Sequence, residues 1–284
     1  MLPESISHKI NDHFDTDISV IKSVHGGDIN QAAQLFLQNG ENIFIKWNQN
    51  ADPTMFSKEA KGLKLLSQAG SGLRIPDTLA SGEDFLVLEW IENGAKNETS
   101  SYNFGRQLAL MHKSSADSFG LDHDNFIGRL PQSNAKHSNW SDFFAIERIE
   151  PQIQMAIEEG KIERSLFRTI QNLYGKFGHI FPQEKPALLH GDLWSGNYMF
   201  DSNGDASIFD PAVYYGHREM DISMTRLFGG FSNDFYEGYN EEYPLEEGFE
   251  GRVKLYNLYP ILVHTNLFGG SYTRQAEQII HHYA

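Results

Sequence analysis

Residues 187–211, ALLHGDLWSGNYMFDSNGDASIFDP, restrict the fold more than any other stretch, because they are polar and short-stranded where the flanking sequence has helical periodicity. Within them YMF and ASIF flank DSNGD, and Asn203-Gly204 is the dipeptide that best tolerates the positive φ angles of a tight hairpin turn. Such a hairpin returns Asp210, at its exit, to the side of Asn197, just before its entry. Asp192 stands five residues before Asn197 on a tight loop. At that spacing a carboxylate can accept a proton from an attacking hydroxyl while an amide oxygen ligates a metal. With Asp210 added, the oxygen-rich set suits Mg²⁺. Taken alone, Asp and Asn in loops are more often turn formers, so the reading depends on agreement with the rest of the chain.

That agreement comes from far upstream. QLFLQNGENIFIKW reads as two alternating strands around Asn39-Gly40, DISVIKSVH supplies a further strand before it, and Lys46 closes the run NIFIKW. The helix predicted next has Phe56, Ala60, Leu63 and Leu66 on one face. Glu59 is the only acid in that helix and lies on the apolar face, three residues from Phe56 and four from Leu63. A carboxylate aimed at a core costs several kcal/mol unless paired, and Lys46 is the available partner. An exposed strand lysine is the alternative. FLVLEWI, residues 85–91, reads as a buried strand, and the polar ENGAKNETSS that follows reads as a linker.

From Tyr102 the periodicity turns mainly helical. Phe104, Leu108 and Met111 share one face, Ile162, Leu166, Ile170, Leu173 and Phe177 line a later helix, and more helical segments fill 217–283. The expected architecture is α+β and two-lobed. A small β-rich lobe spans 1–91, a hinge or linker 92–101, and a larger mainly helical lobe 102–284 with one hairpin set into it. A cleft between lobes is a common ligand site.

Composition narrows the chemistry. The chain has no cysteine, so catalysis falls to Asp, Glu, His, Lys, Ser or Tyr. A net charge of −15 argues against nucleic acid as a partner. Neither a signal-peptide pattern nor a run of about 18 apolar residues is present, so a cytoplasmic protein without a membrane partner is expected. Asp201, Asn203 and Asp205 mimic the start of a calcium loop, but its glycine is misplaced and Ala212 stands where the bidentate Glu belongs. His281 and His282 read as a solvated tail.

The order of base Asp, metal-binding Asn, hairpin and metal-binding Asp is that of kinases. More specifically, LLHGDLWSGN, then IFDPAVYYGHREMD, then FGGF at 228–231 resemble the fructosamine kinase (ketosamine 3-kinase) family. NFIGRLPQSN at 125–134 and the stretch around Trp140 and Phe143 extend the resemblance over most of the chain. That family has a protein-kinase-like fold, similar to aminoglycoside phosphotransferases. It phosphorylates the 3-hydroxyl of sugars joined to amines by glycation, after which the adduct is unstable and the amine is released. Substrates implied are glycated amines, including glycated protein side chains, with ATP and Mg²⁺ as cofactors.

By the same resemblance Asp192 is the base, Asn197 and Asp210 hold Mg²⁺, and Lys46 contacts phosphate, oriented by Glu59. Backbone groups of Glu89 and Ile91 meet adenine, Trp194 stacks on the sugar, and Asp221 supports the loop of Asp192. A core aromatic is the alternative for Trp194, and a surface or capping role for Asp221. The chain departs from protein kinases in having only HGGDIN at 25–30 for a glycine loop, and Pro211 after Asp210. Competing readings are an aminoglycoside or other hydroxyl kinase on the same scaffold, and a nucleotide-binding pseudokinase.

Overall fold

A computed structural model describes residues 2–24 and 30–284. The HGGDIN stretch lies, but for Asn30, outside the described residues. The chain opens with a helix, α1 (Glu4–Phe14), whose buried face is Ile6 and Ile10. The strand-rich expectation for this region omits it. Strands β1 (Ile18–Val24), β2 (Gln31–Leu37) and β3 (Asn42–Trp47) follow, then helix α2 (Met55–Ser67) and strands β4 (Thr78–Ser81) and β5 (Phe85–Glu89). They form one antiparallel sheet in the order β1-β2-β3-β5-β4. Gly40, at φ 91°, makes the β2–β3 turn. Because strand side chains alternate, Ile43, Ile45 and Trp47 pack on the α1 side, and Phe44 and Lys46 face α2 and the cleft. The expected strand 85–91 stops at Glu89, so Trp90 and Ile91 continue as a connecting segment.

The second lobe begins with α3 (Ser100–His112), two residues earlier than the helical periodicity suggests. A small hairpin, β6 (Asn125–Ile127) and β7 (Leu130–Gln132), precedes α4 (Trp140–Phe143), which passes through a π-helical segment (Phe144–Ile149) into α5 (Glu150–Glu158). Next come α6 (Arg164–Tyr174) and α7 (Phe177–Ile180), so the stripe from Ile162 to Phe177 is not one helix; Gly175 ends α6, and Ile162 sits in the turn before it. Strands β8 (Ala187–Leu189), β9 (Tyr198–Phe200), β10 (Ala206–Ile208) and β11 (Tyr214–Gly216) lead into α8 (Glu219–Leu227), α9 (Asn233–Glu242), α10 (Phe249–Tyr256), α11 (Leu258–Phe268) and α12 (Ser271–Tyr283).

The lobe therefore holds three two-stranded sheets among the described residues, β6–β7, β9–β10 and β8–β11, rather than one hairpin. The β8–β11 pairing joins segments far apart in sequence, which local turn signals do not reveal. Helices α3 and α9 touch backbone to backbone: a Cβ on Gly105 would lie 1.9 Å from the Phe235 carbonyl oxygen, and one on Gly238 would lie 2.1 Å from that of Tyr102.

One hydrophobic core spans both lobes, with Phe56 and Leu63 of α2, Leu86 of β5, Phe104 and Leu108 of α3, and Ile208 of β10. The main chain is stitched across the same boundary. Arg74 N–H donates to the Ala206 carbonyl and the Arg74 carbonyl accepts from Ile208 N–H, each at 3.1 Å. Gly94 N–H donates to the Phe200 carbonyl at 2.8 Å. Asp201 closes the β9–β10 turn, its Oδ1 accepting from the N–H groups of Asn203 and Asp205, and its other oxygen lies 3.2 Å from Arg74 Nη1.

Candidate active site

The loop 190–197 is fixed from below by Asp221 of α8. This carboxylate is buried and accepts from His190 N–H at 2.7 Å through one oxygen and from Gly191 N–H at 2.9 Å through the other. The first of these oxygens also meets His112 Nε2 at 3.2 Å, and His112 Nδ1 meets the Tyr239 hydroxyl at 2.8 Å. Gly191 is required here: φ is 84°, and a Cβ would sit 2.0 Å from the Ala212 carbonyl oxygen. His190 donates from Nε2 to the Phe209 carbonyl, which ties the loop to the residue before Asp210. Burial lowers the pKa of His190, against the pull of the Asp221 charge and the Phe209 carbonyl, so the ring is neutral.

Asp192 and Asn197 meet on top of this loop. Asn197 Nδ2 donates to the Asp192 carbonyl at 2.8 Å and to its carboxylate at 3.1 Å, which leaves the Asn197 amide oxygen for another partner. Burial pushes the Asp192 carboxyl up to about 7, the Asp210 charge adds to this, and the Asn197 hydrogen bond opposes it. Asp210 follows the β9–β10 hairpin with φ 56°, a left-handed conformation that Asp tolerates better than most residues. It is the point at which the chain turns away from Phe209, whose N–H is held by the Asn197 carbonyl.

Across the cleft, Lys46 Nζ lies 2.5 Å from Glu59 Oε1 and 2.8 Å from Asp210 Oδ1. Two carboxylates thus share one ammonium. Burial alone would lower the lysine's pKa, but Asp210 and Glu59 together raise it above the ordinary lysine value. Burial pushes Glu59 up to about 7 despite Lys46, with Asp210 adding to the rise. The Asp210 side chain stays 45% exposed, open to the cleft.

These groups border a cavity of about 950 Å³, at the upper end of small-molecule sites. Its upper end, beneath the sheet, is an apolar slot of Ala32, Phe44, Leu88, Ile91 and Met199, with Glu89 at its edge. Glu89 N–H is already committed to the Asp77 carbonyl. The other end passes Trp194, which is half-buried and set edge-on to Phe228 at 5.9 Å, and reaches Pro260, His264, Phe268 and Tyr272. Trp194 is therefore a cavity wall and not a core residue.

Lys46, Glu59, Glu89, Ile91, Asp192, Trp194, Asn197 and Asp210 all line this one cavity. The sequence reading missed the slot residues Ala32 and Met199, the support residue His112, and the α11 face. A signal for the last exists, since Pro260, Val263, His264, Leu267 and Phe268 recur at helical spacing, but an apolar helix reads as core.

A sheet lobe over a helical lobe, with a lysine–glutamate pair above an Asp/Asn/Asp cluster, defines a kinase-like phosphotransferase acting on a hydroxyl group. The fold is shared with aminoglycoside phosphotransferases, one of which, in complex with streptomycin and ATP, superposes with TM-score 0.65 at 14% identity, covering 99% of this chain and 97% of the other. The sequence pattern of the fructosamine kinase family matches residues 2–284, and the chain belongs to that family. A probable ketoamine kinase of Synechocystis sp. is 41% identical, covering 91% of this chain and 88% of its own. A protein-ribulosamine 3-kinase of Arabidopsis thaliana is 37% identical over 94% of this chain and 83% of its own. The crystal structure of a Thermobifida fusca protein assigned as a fructosamine-3-kinase aligns with TM-score 0.90 at 30% identity, over 99% of both chains. The kinase fold and family imply ATP as the nucleotide.

Proposed function

We propose that the chain transfers the γ-phosphoryl group of ATP to the 3-hydroxyl of a ketoamine, a sugar joined to an amine by glycation, and so promotes release of the amine. The observation that carries this reading is the placement of Asp192 between the two ends of the cavity, within hydrogen-bonding distance of Asn197. The adenine ring occupies the apolar slot, where backbone groups of Glu89 and Ile91 meet it. Lys46, held by Glu59, faces the phosphates, and Trp194 stacks on the sugar.

Asp192 accepts the hydroxyl proton as the sugar oxygen bonds to the γ-phosphorus, while the bond from that phosphorus to the bridging oxygen breaks and ADP leaves. Asn197 and Asp210 are the residues that would hold Mg²⁺. The fit is chemical: the Asn197 amide oxygen is not used by its bond to Asp192, one Asp210 oxygen is free of Lys46, and both are hard donors. When bound, the ion neutralises phosphate charge. A lone pair of protein oxygens is typical of Mg²⁺ sites completed by phosphates and water. In a chain of −15, this and Lys46 offset the repulsion of a polyanionic nucleotide.

Residues 1–91, 92–101 and 102–284 then divide the work into nucleotide lobe, linker and catalytic lobe. Among the described residues no helix is long and apolar enough to cross a membrane, and we read the protein as cytoplasmic. The test is incubation with ATP, Mg²⁺ and fructose or ribulose adducts of lysine, with products identified by mass spectrometry. A phosphorylated adduct that disappears in Asp192→Asn is expected; turnover unchanged by that substitution refutes the assignment.

A further inference from the structure

The end of the cavity beyond Trp194 has a composition of its own. Five rings run outward from the residue two after Asp192: Trp194 meets Phe228 at 5.9 Å, Phe228 meets His264 at 5.1 Å, and His264 meets Tyr272 at 4.9 Å and Phe268 at 5.6 Å. The α11 helix supplies the floor, since Pro260, Val263, His264, Leu267 and Phe268 share one face while Ile261, Leu262 and Thr265 turn into the lobe's core. Phe228 and Phe268 remain 39% and 53% exposed, so the row opens to solvent at its outer end.

No Asp, Glu, Lys or Arg is among the cavity-lining residues from 194–196, 228 or 260–272. His264 carries no charge either. Its Nδ1–H is given to the Pro260 carbonyl at 2.7 Å, and burial lowers its pKa against that bond, which leaves Nε2 as a neutral acceptor.

We propose that Phe228, His264, Phe268 and Tyr272, beyond the sugar-facing Trp194, form the subsite for the amine carrier of the substrate, and that it selects a singly charged amine bearing an apolar alkyl or aromatic substituent. The inference rests on the ketoamine reading above and adds the class of amine. A ketoamine presents one protonated secondary amine beside the sugar, which an aromatic face attracts and Nε2 can accept from. The alkyl stem beyond it covers the remaining rings, and a longer carrier such as a peptide leaves past Phe268. An aminoglycoside has several ammonium groups to remove from water and finds no carboxylate on this wall.

The experiment compares fructose adducts of ethylamine, butylamine, hexylamine and benzylamine, which share sugar and charge, in wild type, Phe268→Ser and Ile146→Ser. Full burial is worth about fourfold per methylene, so a half-open wall gives roughly tenfold in kcat/KM from ethyl to hexyl. Phe268→Ser should reduce that hexyl-to-ethyl ratio about threefold or more, chiefly through KM. Ile146, 47% exposed and not among the cavity-lining residues, serves as control, and Ile146→Ser should keep the wild-type ratio. A flat series in wild type, or a series equally steep in Phe268→Ser, overturns the subsite while leaving the ketoamine reading intact. Absence of turnover with every adduct overturns both.

Discussion

Lys46 in the cleft and Arg218 and Arg252 at the base of the helical lobe all face carboxylates, but their surroundings are satisfied to different degrees. Arg218 grips Glu184 through Nε and Nη2 at 2.8 and 2.7 Å and gives two of its other donors to the carbonyls of Tyr243 and Pro244. Arg252 repeats the pattern on Glu219, with the carbonyls of Glu246 and Glu247. These forks are closed: each cation holds one acid through two donors, and four of its five N–H groups are used. The cleft cluster is open, with two acids to one ammonium and Asp210 half in solvent. A closed network specifies a structure, whereas an open one retains capacity for charge brought by a ligand.

The largest effect expected from breaking this contrast is on turnover. Asp192→Asn should reduce kcat by about 10³-fold or more, within the range of a lost general base, in a phosphoryl-transfer assay. Thermal melting should stay level or rise, because burial already disfavours the ionised Asp192. A collapse in melting temperature would make Asp192 structural and erase the contrast.

At the base the expectation reverses. Arg218→Met removes both forked bonds from the buried Glu184 carboxylate, leaving beside it only the His217 ring at 3.7 Å, and should cost about 3–5 kcal/mol in denaturant unfolding. Pairing it with Glu184→Leu should restore much of that loss.

Lys46→Met sits between these cases. It should lower kcat/KM for ATP by about 10²-fold, as for loss of one preorganised electrostatic contact. It should destabilise less than Arg218→Met, since Glu59, already pushed up to about 7, can take a proton when its partner is gone. Equal stability losses in the two variants would show that the cleft pair is as structural as the forks.

The smallest effect is a pH dependence of the base. Burial holds the His217 pKa down to about 3, with the Arg218 charge adding to it. The folded pKa is depressed below the unfolded value, so the folded state binds fewer protons, and stability present above pH ~6.5 is lost as pH falls toward about 3. The slope should be at most about 1.4 kcal/mol per pH unit, read from unfolding curves between pH 7 and 5. His217→Phe should flatten it, its ring fitting among Trp140 and Tyr256.

What the sequence discloses follows from how local each feature is. The Asn39-Gly40 and Asn203-Gly204 turns, and the amphipathic offence of Glu59, are written within a few residues, and the hairpin they imply brings Asp210 to Asn197. Helix α1 shows only two buried apolar residues, too few for a periodicity, and β4 is four residues long with an irregular register. The forks are hidden for a different reason: Arg218 and Glu184 are separated by 34 residues, and nothing in either segment marks the other. The ring row on α11 is hidden because phenylalanine on a helix signals burial whether or not a cavity lies beside it.

The stitch at Arg74 has a mechanical consequence. Arg74 of the upper lobe and Gly94 of the linker pin their segments to both strands of the hairpin that precedes Asp210. Pulling the lobes straight apart would break three main-chain bonds together with the Arg74–Asp201 pair, at about 1 kcal/mol each. The same hairpin carries Asn197 at its entry and Asp210 at its exit, so these bonds set the two oxygens against Lys46 of the upper lobe before any ligand arrives.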